Sequence, residues 1–349
     1  MVRLLLLSGL IALLAACNAE RSQTTPNTAA SPAEDCQTVQ HRAGKTQVCG
    51  QPQRIVVLNP KMLDILLSLD VQPIGYAEVF SNLGKDFDQP SQQIPYVGDR
   101  ITRPLTNLGI SGEPSLEKLA RLQPDLILGD ITGNEDEYPQ LSQIAPTLLF
   151  EYVGHDNWQE PLRAIASAVN RTEQAEAVIK TYQQQLETTR QALAPVVKKY
   201  PTVLMVASEQ LTPPVELVTS VDFCGGLLED LGFQLALPSQ DEPKDITQTI
   251  SIEVLPQLDA DLIIVQGHNF TELSQIKTVN NFENGQLQAI KQAWSKNSIA
   301  QSLPASQENR VYFIPTYICR GLPSPIGSQL ALEQLQTQLS SRSAAASPQ

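Results

Sequence analysis

Ser115-Leu-Glu-Lys-Leu-Ala-Arg-Leu-Gln-Pro-Asp-Leu-Ile-Leu128 returns later in the chain as Ser251-Ile-Glu-Val-Leu-Pro-Gln-Leu-Asp-Ala-Asp-Leu-Ile-Ile264, with seven of the fourteen positions identical. Each copy reads as a short amphipathic helix, with Ser at the N-cap and Glu in the first turn, followed by an Asp and an apolar strand of the kind buried in parallel sheets. One copy would say little. Two copies this far apart are spaced too widely for a solenoid and imply two similar lobes. The expected fold class is α/β, with two similar lobes, each a mainly parallel sheet with flanking helices, joined by a long interlobe helix.

The length of 349 residues and a hydrophobic content of 42% suffice for two cores. Net charge is −13, and Lys and Arg form no block, so the electrostatic footprint of a nucleic-acid binder is missing.

Met1-Val-Arg3, the apolar run Leu4 to Leu14, and Leu14-Ala-Ala-Cys17 follow a signal-peptide pattern. The last four residues look like a bacterial lipobox, which implies cleavage before Cys17 and a lipid on that cysteine. Residues 1–16 are then the leader and 17–35, rich in Ser, Thr, Ala, Pro and Asn, a flexible tether. Residues 340–349 read as a disordered tail. Export makes disulfides the expected state of the remaining cysteines. Cys36 and Cys49 flank two β-like runs about a turn at Arg42-Ala-Gly44 and are expected to face each other across a hairpin. Cys224 and Cys319 are left to pair, with two buried thiols as the alternative.

The first lobe, 36–156, alternates strand and helix. Arg54-Ile-Val-Val-Leu58 is a strand, Met62 to Leu69 a helix and Val71 to Tyr76 a strand. The first repeat copy comes next, and Thr147 to Phe150 is a further strand. Residues 157–195 are helical in pattern. Thr172 is placed to cap a helix from Glu173 to Ala194 that Pro195 stops, well positioned as a spine between lobes. The second lobe, 196–339, repeats the order: strand Thr202 to Ala207, a helix from Cys224 ending at Gly232, the second repeat copy, strand Val311 to Ile314 and a final helix Ser328 to Leu339.

Pro52-Gln-Arg-Ile-Val-Val-Leu58, the two repeat copies, the interlobe helix, Gly225-Gly-Leu-Leu-Glu-Asp-Leu-Gly232 and the lipobox together resemble a periplasmic binding protein of the ferric-siderophore and cobalamin type. The resemblance spans roughly Val39 to Leu339. The Cys36 to Cys49 segment resembles the cyanobacterial branch. What this implies is a monomeric, lipid-anchored periplasmic protein that holds an iron chelate between its lobes and delivers it to the permease dimer of an ABC importer. No catalysis, no cofactor and no directly bound metal are implied. Cobalamin or haem is the alternative ligand. In the family one glutamate on each lobe meets permease arginines, and Glu117 and Glu253 fall on those positions, expected on a face away from the cleft.

Ligands of open α/β sheets bind beyond the carboxyl ends of strands. Those ends suggest Tyr76, Asp130, Glu209, His268, Tyr317 and Arg320 as cleft candidates, joined by Trp158 and by Arg100, where family members often keep a ligand-binding Arg. Guanidinium groups and aromatic rings suit an anionic, flat-faced chelate. Three His, at 41, 155 and 268, are too scattered for a zinc or manganese site. Among the eight Tyr, only Tyr76 and Tyr317 lie near strand ends for direct ferric capture. An exported hydrolase is the reading from another class, and no Gly-x-Ser-x-Gly or His-Glu-x-x-His supports it.

Overall fold

The structure, a computed structural model, describes residues 35–79, 86–151, 157–212, 214–239, 241–268 and 279–343. The leader, Cys17, the tether up to residue 34 and residues 344–349 lie outside these, as does His155. The strands are β1 (Cys36–His41), β2 (Gly44–Cys49), β3 (Ile55–Val57), β4 (Gly75–Glu78), β5 (Thr106–Ile110), β6 (Glu113–Pro114), β7 (Leu126–Asp130), β8 (Thr147–Phe150), β9 (Thr202–Ser208), β10 (Val215–Val218), β11 (Gln234–Leu235), β12 (Thr247–Ile250), β13 (Leu262–Gly267) and β14 (Val311–Pro315). The helices that matter below are α1 (Pro60–Ser68), α2 (Leu116–Leu122), α3 (Tyr138–Ile144), α4 (Gln159–Ala168), α5 (Thr172–Lys199), α6 (Phe223–Asp230), α7 (Phe282–Lys296) and α8 (Pro325–Ser343).

The first lobe carries a sheet ordered β6-β5-β4-β3-β7-β8, parallel except for the β5–β6 edge. The second carries β12-β10-β9-β13-β14, parallel from β9 to β14 and antiparallel at β10 and β12, with β11 alongside β9. The trio β3-β7-β8 therefore matches β9-β13-β14. The strand of each repeat copy takes the middle place, where Leu126, Ile127 and Leu128 are as fully buried as Leu262, Ile263 and Ile264. A strand covered on both faces has to be apolar throughout, which explains why this stretch is kept in both copies.

The helices of the two copies differ. In the first, Ser115 Oγ accepts from the Lys118 N–H at 3.3 Å and a regular α-helix follows. The second forms only a 3₁₀ segment, Ile252–Gln257, because Pro256 inside it has no N–H to continue an α-helical ladder. Here Ser251 makes no backbone cap and its hydroxyl turns to Glu253 instead.

The spine α5 also corrects an expectation. It begins at Thr172, with Arg171 in the cap position, and runs through Pro195 to Lys199, about 42 Å at 1.5 Å per residue. A proline inside a helix costs about 3 kcal/mol, but Leu193 and Val196 on either side are buried, and that packing holds the last turn in place. Near its start Gln174 Nε2 donates to Ser68 O in the first lobe at 3.3 Å; farther along Arg190 Nε donates to Asp230 O in the second at 2.7 Å. One continuous core extends from Val57 and Leu66 past Tyr182 to Leu228 and Leu332, so the lobes share their apolar interior.

The hairpin β1–β2 pairs Cys36 with Cys49, and the disulfide between them is formed. The Cys224–Cys319 bond is formed as well. Helix α8 starts earlier than expected and continues to Ser343, four residues into the expected tail. Its first turn is tied to the other lobe, where Asp64 of α1, fully buried, accepts from the N–H groups of Ile326 at 2.9 Å and Gly327 at 2.8 Å.

Candidate functional site

Strand β4 ends Tyr76-Ala-Glu78, and the period of two directs Tyr76 and Glu78 to the same side. The Tyr76 hydroxyl donates to Glu78 Oε2 at 2.7 Å, and the Val79 N–H donates to Oε1 at 2.7 Å. From the other lobe, the Tyr317 hydroxyl donates to Glu78 Oε1 at 3.3 Å. A carboxylate that is buried with two phenols thus joins the lobes at the carboxyl end of their sheets. Burial pushes Glu78 up to about 7, against the opposing pull of its three donors. Both phenols are pushed up, first by burial and then by the charge of Glu78.

Aromatic rings close the seam around this bond. Tyr96 of the first lobe stacks on Tyr317 at 5.9 Å, and Phe282 of α7 meets Tyr317 edge-on at 5.0 Å and Tyr96 at 5.8 Å. The Tyr96 hydroxyl donates to Glu283 at 3.2 Å. Tyr76 packs on Phe87 at 5.3 Å.

Tyr317 opens a short π-helical turn, Tyr317–Gly321, that also carries Arg320 and Cys319. Its backbone N–H donates to Gln286 Oε1 at 3.0 Å. The disulfide to Cys224 anchors this turn to the first turn of α6. There Asp222 caps the helix, receiving the Cys224 N–H at 3.0 Å, and binds Arg320 Nε at 2.9 Å. A Cβ on Gly225 would overlap the Thr219 carbonyl, which is why that position in the first turn is glycine. Glu216 near the start of β10, which is antiparallel to β9, lies 3.5 Å from Arg320 Nη1, and Gln266 Nε2 donates to Asp222 at 3.1 Å. Burial pushes the Asp222 carboxyl up and Arg320 pulls it back. His268 is held below its ordinary value by burial, with Glu209 opposing and Arg320 reinforcing.

The structure brings Tyr76, Tyr317, Arg320, His268 and Glu209 to the facing ends of the sheets. Asp130 belongs to the same edge, bound to Lys61 at 3.2 Å and capping Thr132. Two candidates lie elsewhere. Trp158 is buried at the start of α4, edge-on to Tyr182 of the spine at 5.2 Å, so it serves the core. Arg100 is exposed on a segment whose backbone is held by Gln72, in the loop before β4, at the amino end of the sheet. The chain has to descend that edge to enter β5 at Thr106.

Glu78, Tyr96, Phe282, Glu283, Glu216 and Asp222 were not singled out from the sequence. For Glu78 a signal existed in its two-residue spacing from Tyr76 at a strand end, and for Asp222 in its place before Cys224-Gly-Gly. The others face the seam through tertiary packing alone. Glu117 and Glu253 are both highly exposed, Glu117 paired with Arg121 at 2.6 Å. Ser115 N donates to Leu108 O, and Ile250 pairs with Val215 at the end of its sheet. This register sets both glutamates toward the carboxyl-end edge that bears the seam, and not away from it.

The model of the periplasmic binding protein family matches residues 55–318. The chain belongs to that family. Among relatives of this binding protein, the ferric enterobactin-binding periplasmic protein FepB of Escherichia coli O6:H1 is 30% identical over 76% of this chain and 80% of its own. The Fe(3+)-citrate-binding protein YfmC of Bacillus subtilis is 27% identical over 87% and 86%. In fold, it is similar to Staphylococcus aureus SirA complexed with staphyloferrin B, with a TM-score of 0.69 at 23% identity over 87% of this chain and 98% of that one.

Because Glu78 is an acid raised from 4.5 to about 7, it favours the folded state fully below about pH 4.5 and loses that contribution as pH rises through 7. The stability of the wild type relative to Glu78→Gln is expected to fall by about 3 kcal/mol between pH 4.5 and 8, read by urea denaturation at each pH. A pH-independent difference would show that Glu78 titrates normally.

Proposed function

We propose that this chain is a lipid-anchored extracytoplasmic binding protein that captures a ferric siderophore between its lobes and delivers it to the permease of an ABC importer. The observation that carries the reading is the seam itself: phenol, carboxylate and guanidinium groups at the carboxyl ends of two duplicated sheets, facing each other across lobes joined by one spine. The relatives named for ferric enterobactin and Fe(3+)-citrate support the ligand class. Anchoring rests on the lipobox that ends at Cys17, and docking on Glu117 and Glu253. The chain works as a monomer and performs no turnover, since its role ends with release of an unchanged chelate.

A thermal-shift panel of ferric siderophores, haem and cobalamin tests the reading. A true ligand at one hundred times its dissociation constant is expected to add about 2.7 kcal/mol to stability. Stabilisation by cobalamin or haem and by no iron chelate would replace the proposed ligand.

A further inference from the structure

Arg320, which the sequence offers as the receptor for an anionic ligand, is already engaged through two of its three nitrogens. Its Nε is bonded to Asp222 and its Nη1 faces Glu216. Around it the edge is acidic. Among the described residues there, Arg320 and Lys61 stand against Asp130, Glu209, Glu216, Asp222 and Glu283. In a cleft with low-dielectric walls such an excess is focused and repels anions. An anionic chelate would have to displace Glu216 from the guanidinium or take its place beside a like charge.

The edge also holds unpartnered polar atoms, most of them donors. Asn59 Nδ2 after β3, Thr316 Oγ1 after β14 and Arg320 Nη2 are buried and have no hydrogen-bond partner among the described residues, beside one orphaned acceptor, Gln266 Oε1. Buried donors of this kind call for acceptor oxygens. Tyr96, Tyr317 and Phe282 add an aromatic wall suited to aliphatic or flat apolar parts.

We infer that the cleft selects a ferric chelate of zero or positive net charge that presents neutral-complex oxygens, a ferric trihydroxamate in class, over citrate or triscatecholate chelates. Glu216 is the residue that sets this preference, by occupying the guanidinium. The inference rests on the binding-protein reading above. Three singly deprotonated hydroxamates balance the charge of ferric iron, whereas three doubly deprotonated catecholates leave their complex strongly anionic. Only the first suits an acidic edge with oxygen-seeking donors.

The test is calorimetric titration of the intact protein with a ferric trihydroxamate, ferric citrate and a ferric triscatecholate. The trihydroxamate is expected to bind about 100-fold more tightly than either anion. Glu216→Gln is expected to narrow that ratio about tenfold by strengthening ferric citrate, with Glu209→Gln as a second variant acting in the same direction. Equal or tighter binding of citrate or the triscatecholate overturns the inference, as does a ratio unmoved in folded Glu216→Gln and Glu209→Gln. Failure of all three chelates to bind would instead overturn the proposed function, and the inference with it.

Discussion

Replacing Glu117 and Glu253 together by arginine is expected to lower chelate uptake by cells at least ~100-fold while the purified protein keeps its chelate affinity within about twofold. Both carboxylates are exposed, one on each lobe, and neither takes part in the seam. In the proposed docking, their register at the carboxyl-end edges would let a permease contact both lobes at once, so the loss should follow from two reversed contacts. Stability should move little. Glu117→Arg only exchanges an exposed i,i+4 pair with Arg121 for a like-charge pair, a change within about 0.5 kcal/mol. Uptake of a radiolabelled chelate, measured beside affinity and thermal unfolding of the same variant, separates the cases. Unaltered uptake would remove docking from these residues, and a matching loss of affinity would place them in the ligand site.

Asp64→Ala is expected to destabilise the protein by about 3–4 kcal/mol. Asp64 is wholly buried, and its carboxyl accepts from the Ile326 and Gly327 N–H groups and from Ser68 Oγ, the last at 3.2 Å. It therefore caps α8 from the opposite lobe. Truncation leaves two N–H groups of a buried helix start without an acceptor and opens a cavity between α1 and α8. Burial pushes this carboxyl up to about 6, so part of its value is held by the protonated form, and Asp64→Asn, which keeps one acceptor oxygen, should cost about half as much. Urea denaturation of both variants checks this. A loss below about 1 kcal/mol for alanine would mean that water or a shift of α8 satisfies those groups.

The repeat made the duplication legible because a strand buried on both faces needs an uninterrupted apolar run, and such a run is visible in one dimension. The same holds for the hairpin disulfide: Cys36 and Cys49 stand at matching ends of two strands with a short turn between them. Local chemistry was less reliable where packing opposed it. Pro195 did not stop α5, since Leu193 and Val196 bury the turn around it, whereas Pro256 did reduce the second repeat helix to a 3₁₀ segment.

By itself the sequence determined the buried parallel strands of both repeat copies, the long spine helix, that there are two related lobes, and that Tyr76, Tyr317 and Arg320 lie near strand ends, because these follow from patterns within one segment; the strands β5, β10 and β12 left no such pattern. Only the tertiary structure decided what those residues meet. Glu78 joins two phenols across the lobes, Asp222 and Glu216 occupy Arg320, and Trp158 turns to the spine. Each of these pairings links residues distant in the chain, and charge at such a site is set by the neighbours that folding brings within a few ångströms, which no local periodicity encodes.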